Sequence, residues 1–165
     1  MKNVFRLVLL LGLIALGYWA WTVMFPSPQE VIRGRLLKMA QLASFPAGQG
    51  NLSRVADIQR LGTYFTDEIE VVMDVPGIGT HTFNRREEVT QAAMGAKSAV
   101  SSVKADFIDI EIDLAPSQQL ANANLTLRAT VNGQKDFVIQ ELKFSLKKVN
   151  GDWLVNKIQT VKTLK

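Results

Sequence analysis

One histidine, one row of acids and no cysteine bound the chemistry open to this chain. His81 is the lone histidine among 165 residues, and imidazole is the side chain whose charge changes near neutral pH, as a general base or a metal ligand requires. It stands in Thr80-His-Thr-Phe83, which reads as a short return strand, where a histidine is ordinarily a half-exposed polar residue. Asp106, Asp109, Glu111 and Asp113 resemble a metal cluster on paper. Strand alternation instead spaces Asp109, Glu111 and Asp113 at ~7 Å along one face, a solvated row and not a cage, so no metal is expected. Asp74, just ahead of Pro76-Gly77, stands where aspartate commonly caps a turn. The absence of cysteine excludes disulfides, thiolate metal sites and cysteine nucleophiles. No Gly-x-Ser-x-Gly elbow, phosphate loop or dinucleotide fingerprint occurs, so no cofactor is expected.

Charge excludes another class. The net charge of +4 falls to +2 once Lys2 and Arg6 are set aside, too little for a nucleic-acid footprint. Its distribution is uneven: residues 67–113 carry ten acids against four bases, and 143–165 carry six lysines against one acid. Cross-strand pairing within one sheet accounts for this, and a basic face toward anionic lipid or an acidic partner is the alternative.

The elements that position these residues begin with nineteen uncharged positions from Leu7 to Phe25. As a helix they reach ~28 Å, about the thickness of a bilayer's hydrocarbon core. Tyr18, Trp19, Trp21 and Phe25 crowd the far end, where amphipathic rings favour the membrane interface. Lys2 and Arg6 precede the span, which keeps the short N-terminus cytoplasmic. The expectation is a transmembrane signal anchor over 1–25, single-pass in a bacterial inner membrane, with a periplasmic domain over 26–165. Secretion after cleavage is the alternative. Ala15-Leu16-Gly17 is the one passable cleavage triplet, and cutting there leaves an aromatic, apolar mature end.

Ser27 with Glu30 forms a capping box, and Pro28 falls at the first helical position. Ile32, Leu36, Met39, Ala40 and Ala43 then recur at helical spacing to about Ser44. A second helix from Asn51 or Ser53 turns Leu52, Val55, Ile58, Leu61 and Phe65 inward and closes between Gly62 and Tyr64. A strand over 69–75, a Pro76-Gly77 turn and a strand over 80–83 follow. Asn84 with Glu87 repeats the capping arrangement before a third helix, whose stripe is Val89, Ala92, Ala93, Ala96 and Val100. Four strands over 103–114, 120–131, 137–149 and 153–163 complete the chain, with Asn132-Gly133 and Asn150-Gly151 as hairpin signals. Three helices around a short hairpin, then a long meander, make an α+β layout: helices packed on one face of a curved antiparallel sheet that closes into a cone. Trp153 is expected to plug that cone. Ile108, Ile110, Ile112, Val138, Leu142 and Phe144 are expected to line it.

Over about 29–162 the chain resembles the nuclear transport factor 2-like superfamily, which includes SnoaL-like cyclases and steroid isomerases. The residues that carry the resemblance are Leu61-Gly-Thr-Tyr-Phe-Thr-Asp-Glu68, Pro76-Gly77, Asn84-Arg-Arg-Glu-Glu88 and Asn150-Gly-Asp-Trp-Leu-Val155. It implies that the cone is either an active-site cavity or a filled core, and that the sheet's outer face makes a homodimer. In the isomerases the general base is an aspartate before a proline- and glycine-containing turn, a setting that Asp74 resembles. Their oxyanion site wants a tyrosine on the first helix, which has none here, since Tyr64 ends the second. The penultimate strand should add a protonated acid, but Gln140 shares the inward face there and Glu141 points away.

The expected function is a membrane-anchored, extracytoplasmic, non-enzymatic interaction or scaffold domain, or a module binding an apolar small molecule in the cone. The alternative is a SnoaL- or steroid-isomerase-like enzyme with catalytic residues Asp74, Tyr64 and His81. Expected partners are the lipid bilayer, through Leu7–Phe25, and a second copy, through the sheet face.

Overall fold

In a computed structural model of the protein, residues 26–75, 79–133 and 137–161 are described, together with Gly12, Ile14, Leu16 and Gly17, which are helical. The rest of the span from Leu7 to Phe25 lies outside the described residues, and so does the Pro76-Gly77 turn. Among the described residues no helix is long and apolar enough to cross a membrane.

Helix α1 runs Pro28–Ala43 and opens as its sequence dictates. The Ser27 hydroxyl accepts from the Glu30 N–H at 3.3 Å, and the Glu30 carboxylate accepts from the Ser27 N–H at 3.2 Å. Helix α2 (Asn51–Gly62), strands β1 (Phe65–Val75) and β2 (Gly79–Phe83) and helix α3 (Arg86–Ala99) follow. The chain ends in β3 (Val103–Leu114), β4 (Leu120–Val131), β5 (Val138–Val149) and β6 (Asp152–Thr160). Asn132 and Gly133 have φ of 54° and 66°, the left-handed backbone that these two residues tolerate best.

Three expectations about the sheet need correction. The six strands lie in the order β2-β1-β6-β5-β4-β3, and β1 pairs with β6 in parallel, so the sheet is mixed and not wholly antiparallel. The last strand enters between β1 and β5, where it meets β1 running in its own direction. Second, β1 starts at Phe65 and not at Ile69, and a register shift between Phe65 and Glu70 absorbs the added residues. Third, Ile108 leaves the inner face. Asp109 takes a φ of 52° and the β3–β4 register shifts between Ile108 and Glu111. One extra residue in a strand reverses the alternation beyond it. Ile108 thus pairs with Thr126 on the outer face, while Ile110 and Ile112 turn inward. Val138, also expected inside, is 59% exposed.

The α3 cap differs as well. Arg85 is the N-cap without a side-chain bond, and Glu88, not Glu87, accepts from the Asn84 N–H at 2.9 Å.

Ile32, Leu36 and Met39 of α1 pack with Ile69, Val71, Leu125, Phe144, Leu146 and Val155 inside the curved sheet. Trp153 joins them at 3% exposure, the plug expected of it. Phe107 meets Phe144 edge-on at 5.7 Å, an orientation aromatic quadrupoles favour. Helix α1 also blunts the β3 edge. Ser44 Oγ accepts from the Ala105 N–H at 2.9 Å and donates to the Ala105 carbonyl at 3.1 Å. Phe45 exchanges two backbone bonds with Val103, and Arg33 donates to the Ile110 carbonyl at 2.7 Å. A free strand edge is a pairing template, and these contacts close this one over its first eight residues.

Candidate binding site

Tyr64, Asp74 and His81 do not meet in this fold. Tyr64 immediately precedes β1, and Asp74 stands one residue from its end. The β1 irregularity shortens the path, since β1 advances only from Val155 to Lys157 along β6 between Phe65 and Glu70, and the two still lie roughly 20 Å apart. The Tyr64 ring lies 4.9 Å from the Arg35 guanidinium, which pairs with Asp152 at 2.8 Å. The Tyr64 carbonyl accepts from the Val155 N–H at 2.9 Å, so this residue fastens β6 and α1 to the head of β1. Asp74 pairs across the ladder with Thr80, and Met73 with His81. Neighbours in a strand project to opposite faces. Val71 and Phe83, which share the parity of Met73 and His81, pack into the core, so Asp74 belongs to the outer face. The Asp74 N–H donates to Thr160 Oγ1 at 3.0 Å. His81 is exposed on the edge strand β2.

The cone interior is occupied by side chains. Among the described residues Ile32, Leu36, Ile69, Phe144, Leu146 and Val155 are its largest fully buried side chains. Among the described residues the buried polar side chains are Thr66 and Lys97, and neither belongs to that apolar cluster. Thr66 Oγ1 donates to the Glu68 carbonyl at 3.1 Å inside the β1 irregularity. No group of three or more carboxylates and imidazoles among the described residues is placed to hold a metal ion.

What the fold does assemble lies where α1 and α3 end and α2 begins. Lys97, 7% exposed, donates to the Leu42 carbonyl at 2.9 Å and stands 5.1 Å from the Phe45 ring centroid. The Arg54 guanidinium lies 4.7 Å from the same ring and donates to the Lys97 carbonyl at 3.2 Å. Both cations thus serve helix C-terminal carbonyls, where positive charge complements the helix dipole. Burial pushes the Lys97 ammonium below its ordinary pKa; Asp57 pulls it back up, and Arg54 adds to the lowering. Gln49 Nε2 donates to Asp57 at 2.8 Å and holds that carboxylate in place.

Beside this cluster a groove of about 610 Å³ runs between the α1–α2 loop and the β3–β4 strands. Phe45, Pro46, Ala47 and Val103 give it an apolar floor, and Thr130 and Gly133 form one wall. Past Gly133, Phe137, Val138 and Ile139 are 56%, 59% and 57% exposed. The arrangement suits apolar contact and offers no acid–base pair.

The sequence contained one signal for this cluster. Lys97 follows Ala93 by one helical turn on the flank of the α3 apolar stripe, an unusual place for an unpaired lysine. Phe45 and Arg54 looked like an ordinary loop residue and an ordinary helix-surface residue.

No family model and no curated protein matches the chain. Solved structures do. A provisionally named scytalone dehydratase from Novosphingobium aromaticivorans superposes with a TM-score of 0.62 at 16% identity, over 82% of this chain and 84% of that one. A nuclear transport factor 2-like protein of unknown function from Pseudomonas putida gives 0.62 at 13% identity, over 84% and 90%. Another with a cystatin-like fold, also from Novosphingobium aromaticivorans, gives 0.62 at 12%, over 88% of each chain. The chain therefore has the cystatin-like, nuclear transport factor 2-like α+β fold, a likeness of architecture that leaves chemistry to the residues themselves.

Proposed function

We propose that the chain is a membrane-anchored, extracytoplasmic interaction domain that works without turnover. The observation that carries this reading is the filled cone. Phe144, Leu36 and Ile32 occupy the volume a substrate would need, at 2%, 0% and 0% exposure. Fold neighbours include a provisionally named dehydratase, yet a dehydratase or isomerase needs polar groups converging on substrate. Here Asp74 and Tyr64 stand at opposite ends of one strand.

The anchor in this reading is the uncharged span Leu7–Phe25 behind Lys2 and Arg6, which sends the domain to the far side of a bacterial inner membrane. The contacts it offers there are the Phe45–Val103 groove, the exposed Phe137–Ile139 stretch and the outer sheet face. On that face, acids on β3 (Glu111, Asp113) and Lys143 on β5 are self-complementary for a two-fold pair.

Native mass spectrometry of the full chain released from detergent micelles tests the reading. The expected species is a dimer of bare protein. A small molecule retained one per chain, and lost only on unfolding, would overturn it in favour of a ligand-holding cone.

A further inference from the structure

We infer that the end of the domain formed by loop 115–119, the Asn150-Gly151 turn and Lys147-Lys148 lies against an anionic phospholipid surface. The inference rests on the anchored reading above and adds an orientation to it.

Pro26 and Ser27 alone separate Phe25 from the first residue of α1, and two residues of extended chain span at most ~7 Å. Proline restricts residue 26, and the capping box holds Ser27, so α1 starts close to the end of the apolar span.

Arg33 of α1 bonds Ile110, Ser44 bonds Ala105, and Phe45 bonds Val103. Helix α1 is therefore antiparallel to β3, and its N-terminal end points the same way as the C-terminal end of β3. From Arg33 back to Pro28 is ~7.5 Å at helical rise, and from Ile110 on to Leu114 is ~13 Å at strand rise. Loop 115–119 thus projects at least as far as the point where the chain leaves toward the span. The Arg35–Asp152 pair, 2.8 Å, puts the β5–β6 turn at the same end.

The chemistry of that end fits a lipid headgroup layer. Leu120, 54% exposed, stands opposite Lys147, and Lys147 stands opposite Leu154, a row of apolar, basic and apolar side chains across three strands. The Lys148 N–H donates to the Gln119 carbonyl at 2.8 Å and ties the loop to the end of β5, where Lys147 and Lys148 flank the strand on its two faces. Asp152 is neutralised by Arg35, which leaves Lys147 and Lys148 for phosphate. The opposite end, with His81, the Phe45–Val103 groove and Phe137–Ile139, then faces away from the bilayer.

Because the chain has no cysteine, single labels test this cleanly. The full chain carrying Ser117→Cys or His81→Cys is labelled with a small fluorophore. It is then reconstituted into vesicles of phosphatidylglycerol and phosphatidylethanolamine with a headgroup-attached quencher in both leaflets. The Ser117 label should be quenched several-fold more than the His81 label. Vesicles of neutral phosphatidylcholine, or the Lys147→Glu/Lys148→Glu variant, should reduce that difference. Equal quenching, or stronger quenching at His81, overturns the orientation. Flotation of the vesicles after an alkaline carbonate wash separates the two failures. A chain that does not float overturns the anchor and this inference together, whereas one that floats with equal quenching overturns this inference alone.

Discussion

The Lys97 ammonium donates to the Leu42 carbonyl at 2.9 Å, so a cation on α3 closes the C-terminal turn of α1, which carries no basic residue of its own. The bond joins residues 55 apart in sequence and fixes two helices against each other around the Phe45 ring.

That bond has a pH signature. Desolvation lowers the Lys97 pKa in the folded chain below the unfolded value of 10.5. Between the lowered value and 10.5 the unfolded chain holds a proton that the folded chain lacks, so stability rises with pH across that window. Below it the burial penalty applies in full. Urea unfolding of the native chain and of Lys97→Met, from neutral pH to about 10.5, should show the native chain gaining relative to the variant as pH rises. A constant difference would mean that Lys97 is effectively solvated. At neutral pH, Lys97→Ala should cost about 1–3 kcal/mol, because the Leu42 carbonyl loses its partner.

Asp109 concerns the bulge. Its φ of 52° costs an ordinary L-residue roughly 1–2 kcal/mol, least for Gly, Asn and Asp. Asp109→Gly should leave the melting temperature equal or higher, and Asp109→Val should lower it by several degrees. If the valine variant melts like the native chain, β3 runs through without a bulge and Ile108 returns to the core.

Trp153 closes the cone. A buried aromatic truncated to alanine typically costs ~3–5 kcal/mol, a large share of a domain's ~5–15. Trp153→Ala should express poorly or melt far below the native chain, and an unchanged melting curve would contradict its place in the core.

Pairing of two copies through the outer sheet face is tested on Ile139, which shares that face with Glu141 and Lys143. Sedimentation of the native chain in detergent should show dimers at micromolar concentration, and Ile139→Asp should shift them to monomers. Monomers throughout the native series would remove the second copy from the partners.

Local signals were the legible ones. Ser27, Pro28 and Glu30 announce α1, Asn132-Gly133 announces the β4–β5 turn, and alternation along 120–131 puts Ala121, Ala123 and Leu125 inside. Each of these is decided within a few residues by backbone preference and period. The parallel β1–β6 pairing is decided by which edge the last strand finds, and no residue of β6 encodes it. Asp109 shows the same limit on a smaller scale, since aspartate is common in solvated strand rows and its left-handed backbone is a response to the register of β4. The Phe45–Arg54–Lys97 cluster was hidden because three separate elements supply it. The resemblance pointed to Asp74 by its place before the Pro76-Gly77 turn, and His81 stood out as the lone histidine; the length of β1 keeps Tyr64 away from Asp74, and its alternation puts Asp74 and His81 on opposite faces.

Side chains fill the cone. Backbone amide shifts of the native chain and of Phe144→Ala, titrated with benzene, measure this directly. An apolar cavity left by truncation stays dry and takes up such a ligand. Saturable shifts are expected at Leu36, Leu125 and Leu146 in Phe144→Ala and none in the native chain. Saturable shifts at those residues in the native chain would show an open, ligand-accepting cone and contradict a filled one.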